Sequence, residues 1–489
     1  MRIWTALLVA LGVSVSAALL PPARAAGPAG PTVTGPIAAT VAVGDAAHDY
    51  PFYASIVDLA RTGYVEQEFF IQGTANRYET PAAADGRVLD GGHAYKTRIV
   101  VRRPKDAARF NGTVILEWNN VTAGHDLDID WFQSHDHFVR AGYAWIGVTP
   151  QRIGVEALKV WNATRYGTLD VTDGGTITND ALSYDIFAAA ARAVRAPGAV
   201  NVLGGLKAER LFATGHSQSA GRLATYVNAV HPLAPVFDAF VVHGGGGKIR
   251  TDLTVKVWKL LSETDDLGNQ AAIRQPDTRS FRSWEVAGDS HVDIQFAAYS
   301  RQLTARDGGP VAPGFSAGLG GRATAASTTA APAAGGAVRG ATGGQCERPP
   351  YSHVPFYQVM NAAFDHLVRW VKDGTLPSPA PPIEIASAGP PAEAQRDKAG
   401  NALGGIQLAE HAVPTGVNTG VNSGPAFCRL YGSHEDFDAA TLAALYPTHE
   451  AYVSAVRSAT EKNVKAGFIL RVDGDATIAA AERSAIGRR

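Results

Sequence analysis

Gly215-His216-Ser217-Gln218-Ser219-Ala220-Gly221 follows the apolar run Leu211-Phe212-Ala213-Thr214 and precedes Leu223, Tyr226, Val227 and Val230. Those last four recur at i, i+3, i+4 and i+7, one face of a helix. The stretch therefore reads as strand, sharp turn and helix with a serine at the tip, the arrangement called a nucleophile elbow. So tight a turn demands small residues two before and two after the serine, and Gly215 and Ser219 meet that demand for Ser217. The elbow exposes Oγ and brings the Gln218 N–H, at the helix N-terminus, toward the reacting oxygen. Ser219 is a second register, since it lies between Ser217 and Gly221. The plain alternative is a strand-to-helix turn with a capping serine.

Outward from the elbow, apolar runs recur with helical segments between them. Strands are expected at Tyr64 to Ile71, Lys96 to Val101, Thr113 to Trp118 and Tyr143 to Val148 before it, and at Phe237 to Val242, Val255 to Leu261 and Phe281 to Val286 after it. An alanine-rich helix is expected over Ile186 to Val194, ending before Pro197. This alternation predicts an α/β fold, a mostly parallel sheet with helices on both faces. Sites in such sheets gather at the carboxyl ends of the strands. Residues 151–180 form a long connection carrying Trp161, Tyr166 and Leu169, readable as a lid or as a packed excursion.

A serine hydroxyl needs a base to take its proton, and the base needs a carboxylate to orient it. In an elbow-bearing sheet the chain order is serine, acid, histidine. Val255 to Leu261 runs into Ser262-Glu263-Thr264-Asp265-Asp266, and Asp265 is the expected acid, with Glu263 and Asp266 as alternatives and a solvated turn as the plain reading. Phe281 to Val286 runs into Ala287-Gly288-Asp289-Ser290-His291, and His291 is the expected base, with His353 in reserve. His216 is expected to shape the pocket. A second oxyanion donor is expected in the loop after Trp118, where Asn120 is chosen although the HGGG signature is missing. His125-Asp126-Leu127-Asp128-Ile129-Asp130, with His135 and His137, offers hard ligands, but its spacing matches neither an EF-hand nor HExxH. No metal is assigned, and the serine chemistry needs no cofactor.

The N-terminus reads as a signal peptide over residues 1–25: Met1-Arg2, an apolar stretch from Ile3 to Leu20, then Ala23-Arg24-Ala25 as a cleavage site. An uncleaved anchor is the alternative. An exported, periplasmic or extracellular protein with no membrane span after processing is expected. Cys346 and Cys428 are the chain's 2 cysteines, and in an exported protein they suggest one disulfide, with two buried thiols as the other possibility. With 44 basic and 45 acidic residues and no basic block, nucleic-acid binding has no support. Oligomeric state is left open. Residues 308–344 break the composition with Pro, Gly, Ala, Ser and Thr and read as a low-complexity insertion. Beyond it, Phe364, Leu367, Val368 and Val371 show helical spacing closed by Gly374, and further helices are expected over Thr448 to Ala466 and Ala476 to Ser484.

The chain resembles bacterial α/β-hydrolase-domain proteins with an S-Q-S nucleophile elbow, a group read as serine esterases. The resemblance is carried by Gly63 to Phe70 with Gly73-Thr74-Ala75, by Glu117 to Val121, by Gly215 to Gly221, by Ser262 to Asp265, by Ala287 to Asp293 and by Asn401 to Ile406. It implies an α/β-hydrolase fold in which residues 26–489 form a single catalytic domain, with 346–489 packed on the sheet as part of the same unit. It also implies a secreted serine hydrolase acting on small or polymeric carboxylic esters through an acyl-enzyme. Acyl transfer or peptide cleavage by the same triad, and a silent fold that only binds a ligand, are the other readings.

Overall fold

The computed structural model describes residues 30–313, 315, 346–389 and 391–488. The expected signal peptide, and residues 314 and 316–344 of the low-complexity insertion, lie outside the described residues.

A nine-stranded sheet organises the chain, in the order β1-β2-β3-β5-β4-β6-β7-β8-β9. Its strands are β1 (Thr32–Thr34), β2 (Tyr64–Glu79), β3 (Arg87–Pro104), β4 (Thr113–Trp118), β5 (Ala144–Val148), β6 (Arg210–His216), β7 (Ala239–His243), β8 (Lys256–Ser262) and β9 (Phe281–Val286). From β5 onward every pairing is parallel, whereas β1, β2 and β3 are antiparallel to their neighbours. The parallel strands match the apolar runs to within a few residues because both faces are covered, which leaves a continuous hydrophobic signal.

β2 and β3 run well past the expected apolar segments, to Glu79 and from Arg87. Their extensions satisfy one another's backbone as a two-stranded ribbon, so polar residues such as Asn76 and Asp90 are tolerated there. β1 pairs Thr32–Thr34 with the edge of β2.

Strand register assigns the two faces. Glu117, Thr214, Val241 and Trp258 align across β4, β6, β7 and β8. They face α1 (Ile129–Ala141) and, further along the chain, a helix over Phe356–Asp373. Glu117 accepts the Asp130 and Trp131 N–H groups of α1, and Trp258 meets Trp370 edge-on. Trp118 points the other way, onto Phe187. The 151–180 connection holds α2 (Arg152–Trp161) and α3 (Ala163–Tyr166), and Phe187 lies on α4 (Ser183–Arg195). Trp161, Tyr166 and Leu169 are buried, and the Tyr166 hydroxyl donates to Glu68 of β2 at 2.8 Å, so the connection packs on the fold.

α5 (Gln218–Thr225) follows β6 and α6 (Glu263–Asp265) follows β8, while α7 (Ile294–Asp307) and the Phe356–Asp373 helix, labelled α8, come after β9. Val359, Met360, Ala363, Phe364, Leu367 and Trp370 of α8 are buried in the same core as the sheet, and Gly374 ends the helix at φ 78°. Ile406 pairs with the free edge of β9, its N–H donating to the Glu285 carbonyl at 2.7 Å. Two closing helices cover His449–Ala466 and Arg471–Arg483.

Cys346 and Cys428 are disulfide-bonded, 82 positions apart. The bridge anchors the short helix Cys428–Tyr431, whose Leu430 carbonyl accepts the Val292 N–H at 2.9 Å. A loop of this length restricts the unfolded chain substantially, so replacing both cysteines by serine is expected to cost about 2–4 kcal/mol of unfolding free energy. Chemical denaturation of the double variant checks this. An unchanged midpoint and slope would show that the bridge contributes nothing. No helix among the described residues is long and apolar enough to cross a membrane.

Candidate active site

The carboxyl ends of β6, β8 and β9 bring three side chains together. Ser217 sits between β6 and α5 at φ 61° and ψ −115°, a left-handed conformation that a serine adopts only when its surroundings impose it. A Cβ on Gly215 would lie 3.2 Å from Ser219 Oγ, so the small-residue demand before the turn is physical. Ser219 itself is within α5, fully buried, with its hydroxyl donating to the His216 carbonyl at 2.8 Å. Of these two serines, Ser217 presents its hydroxyl to a histidine: Oγ lies 2.8 Å from His291 Nε2.

His291 Nδ1 lies 2.5 Å from Asp265 Oδ1. With the ring proton on Nδ1, donated to the carboxylate, Nε2 offers its lone pair to the serine. The other carboxylate oxygen, Asp265 Oδ2, accepts the Ser262 N–H at 2.8 Å and the Ser262 hydroxyl at 2.7 Å. Burial by itself would raise this carboxyl. The adjacent His291 and the Ser262 hydrogen bonds outweigh it and hold Asp265 below the usual carboxylate value.

The alternative acids are engaged elsewhere. Glu263 accepts the Gly288 N–H at 2.8 Å, Arg396 at 2.6 Å and Thr419 at 3.0 Å, tying the acid turn to the histidine loop and to the C-terminal part. Asp266 pairs with Arg274, and burial together with nearby Glu285 pushes it up to about 8. His353 stacks on His434 with ring centroids 3.8 Å apart and makes no hydrogen bond to Ser217 or Asp265.

His216 is buried between two other imidazoles, its ring centroid 4.3 Å from His243 and 4.3 Å from His291. Burial, and the neighbouring rings, push its pKa well below the ordinary histidine value, so it stays neutral. His243, at the end of β7, is held by Asp130 Oδ1 at 2.6 Å. The sequence reading did not single out His243 or the four glycines that follow it. The available signal was a histidine and a glycine run at the carboxyl end of a buried strand.

Of the two expected oxyanion donors, Gln218 is the first residue of α5, and its N–H has no acceptor among the described residues. Asn120 requires a correction. Its N–H is committed to the Leu127 carbonyl at 2.9 Å. Its side chain amide donates to the His216 carbonyl at 2.8 Å and its Oδ1 accepts the Thr122 N–H at 2.8 Å, so it braces the elbow from the neighbouring loop. The backbone N–H that follows, of Val121, has no acceptor among the described residues.

The hard-ligand stretch disperses. Asp128 pairs with Arg102, Asp126 lies 3.7 Å from Arg98, Asp130 holds His243, His125 meets Tyr53 and His137 meets Asp365. Among the described residues no three His, Cys, Asp or Glu side chains are arranged to hold a metal ion.

A serine hydrolase without a lid from Xanthomonas campestris matches at 13% identity over 48% of this chain and 91% of its own, with a TM-score of 0.26. A CE15 glucuronoyl esterase from Teredinibacter turnerae matches at 10% identity over 51% of this chain and 75% of its own, with a TM-score of 0.29. Est1E from Butyrivibrio proteoclasticus matches at 10% identity over 43% of this chain and 93% of its own, with a TM-score of 0.26. No curated protein matches the sequence. The family model described as alpha/beta hydrolase domain matches residues 33–479, nearly the whole described chain, and the protein belongs to that family.

Proposed function

We propose that this α/β hydrolase is an exported serine esterase that cleaves carboxylic esters through an acyl-enzyme. The single observation that carries the reading is the continuous Ser217–His291–Asp265 hydrogen-bond series, 2.8 Å and 2.5 Å, on a serine at positive φ. Ser217 Oγ attacks the ester carbonyl as its proton passes to His291 Nε2. Asp265 holds the imidazole in the productive tautomer and stabilises the imidazolium. The tetrahedral oxyanion is met by the Gln218 N–H and, in place of the Asn120 N–H, by that of Val121. His291 then protonates the leaving alcohol, and water enters by the same route to release the acid. Export is supported by the disulfide and by the sequence pattern of an apolar stretch, Ile3 to Leu20, ahead of Ala23-Arg24-Ala25.

A fluorophosphonate probe tests the reading. The purified protein is expected to be labelled at Ser217, located by peptide mass spectrometry. Labelling at Ser219 moves the nucleophile by one register. Folded protein that takes up no label returns the weight to a silent, ligand-binding fold. Acyl transfer and peptide cleavage are separated from hydrolysis by product analysis with competing alcohols and with peptide substrates.

A further inference from the structure

We infer that Lys259 is a positioning residue that pins a wall without side chains, Gly244–Gly247, beside Ser217, and that this wall grips the substrate group lying against it. The inference rests on the esterase reading for the words substrate and grip; the clamp itself does not.

β7 ends at His243, whose carbonyl accepts the Ser217 N–H at 2.9 Å. The next four residues are all glycine. Gly244, Gly245 and Gly246 have φ of +66°, +152° and +79°, conformations that side chains disfavour. Space is also short. A Cβ on Gly244 would lie 2.7 Å from the His216 ring and 3.4 Å from His291 Cε1, and one on Gly246 would lie 3.1 Å from the Ala220 carbonyl of α5. A Cβ on Gly245 would be 3.6 Å from the Ser217 carbonyl oxygen, so the run passes directly along the nucleophile.

Four glycines in succession have the greatest freedom to lose on folding, and such a run keeps one shape only if something holds it. Lys259 aligns with Val242 and, through β7, with Gly215, which sends its side chain to the α5 face of the sheet. Its ammonium donates to the Gly246 carbonyl at 3.2 Å, the Gly247 carbonyl at 3.1 Å and Gln270 Oε1 at 2.8 Å. An ammonium has three donors, and all three are used. The C=O and N–H of a trans peptide point in opposite directions. Turning two carbonyls inward therefore faces the Gly247 and Lys248 N–H groups away from the lysine. The side chain is buried, and an apolar residue would cost less in mid-strand. The charged group facing it is Asp265, from the turn after β8. Burial pushes the ammonium down to about 8, and Asp265 acts in the opposite sense.

Lys259→Met keeps the length of the side chain and removes the clamp. In this variant KM for a p-nitrophenyl ester is expected to rise about tenfold with kcat lowered no more than about threefold, the split for lost ground-state and transition-state binding alike. Backbone amides across 242–250 are expected to exchange faster by mass spectrometry. In the wild-type protein KM is expected to climb above pH about 8, where the amine turns a lone pair toward one of its acceptors, and this climb is absent from Lys259→Met. If Lys259→Met does not fold, Gln270→Leu, which removes one acceptor, and the wild-type pH series carry the same test.

Unchanged exchange across 242–250 overturns the inference, and so does a variant whose KM and pH profile match the wild type. Faster exchange in a protein that cleaves no ester would uphold the clamp and sink the esterase reading. Esterase activity that is indifferent to Lys259 would do the reverse.

Discussion

Ser217→Ala is expected to lower kcat on any ester the enzyme turns over by a factor on the order of 10⁶, the scale seen when a triad nucleophile is removed. The structure makes the test clean. The Ser217 hydroxyl meets the fold through His291 Nε2, and its N–H, which alanine retains, keeps the bond to the His243 carbonyl. Removing Oγ therefore takes away the proposed attacking atom and leaves the elbow braced. Steady-state kinetics with circular dichroism as a folding control measures the effect. Ser219→Ala is the matched comparison. It removes one buried hydrogen bond to the His216 carbonyl, a loss of about 1 kcal/mol in stability, and leaves the nucleophile in place. A Ser217→Ala protein with most of its activity would end the assignment.

Asp265→Asn is expected to lower kcat by about 10⁴, because it leaves the histidine in the wrong tautomer. Here Ser262 determines the orientation of the new amide. Both the N–H and the hydroxyl of Ser262 donate to Oδ2, so the amide carbonyl must occupy that position. Its NH2 group is then left facing His291 Nδ1. The ring must accept there, its proton moves to Nε2, and a donor confronts the serine that needs an acceptor. Fluorophosphonate labelling of Ser217 is expected to slow by a comparable factor. Rates within about tenfold of wild type would show that Asp265 does not orient the base. Stability follows the same carboxylate. The folded-state value of Asp265 lies below its ordinary one, so its stabilising contribution is present above the ordinary carboxylate pKa and is lost as pH falls toward the folded value.

Much of this site is legible along the chain because each of its parts is local. The elbow is a strand, a small-residue turn and a helix contiguous from Leu211 to Val230. Asp265 and His291 follow directly on buried strands, whose apolar runs mark where a carboxyl edge must lie. Gly374 and Thr448 punctuate helices by chemistry confined to a few residues: a left-handed C-cap at φ 78°, and a side chain that accepts the Ala451 N–H.

Loop position alone points to Asn120. Whether a particular N–H is free depends on the partner across the turn, and Leu127 takes it. The choice among Glu263, Asp265 and Asp266 likewise turns on Arg396, Thr419 and Arg274, which lie far away in sequence or on another element.

Sequence by itself determined the alternation of buried strands and helices, the family, and the chain order of the proposed triad. Periodicity and turn chemistry act between residues a few positions apart, and those interactions are written in the local pattern. Tertiary structure decided which hydrogen-bond donors remain unspent, which acid turns toward the histidine, how far β2 and β3 extend, and that a lysine in the middle of β8 reaches beneath the glycines after β7. These depend on partners that only the closed sheet brings within 3 Å or so, where hydrogen bonding is decided.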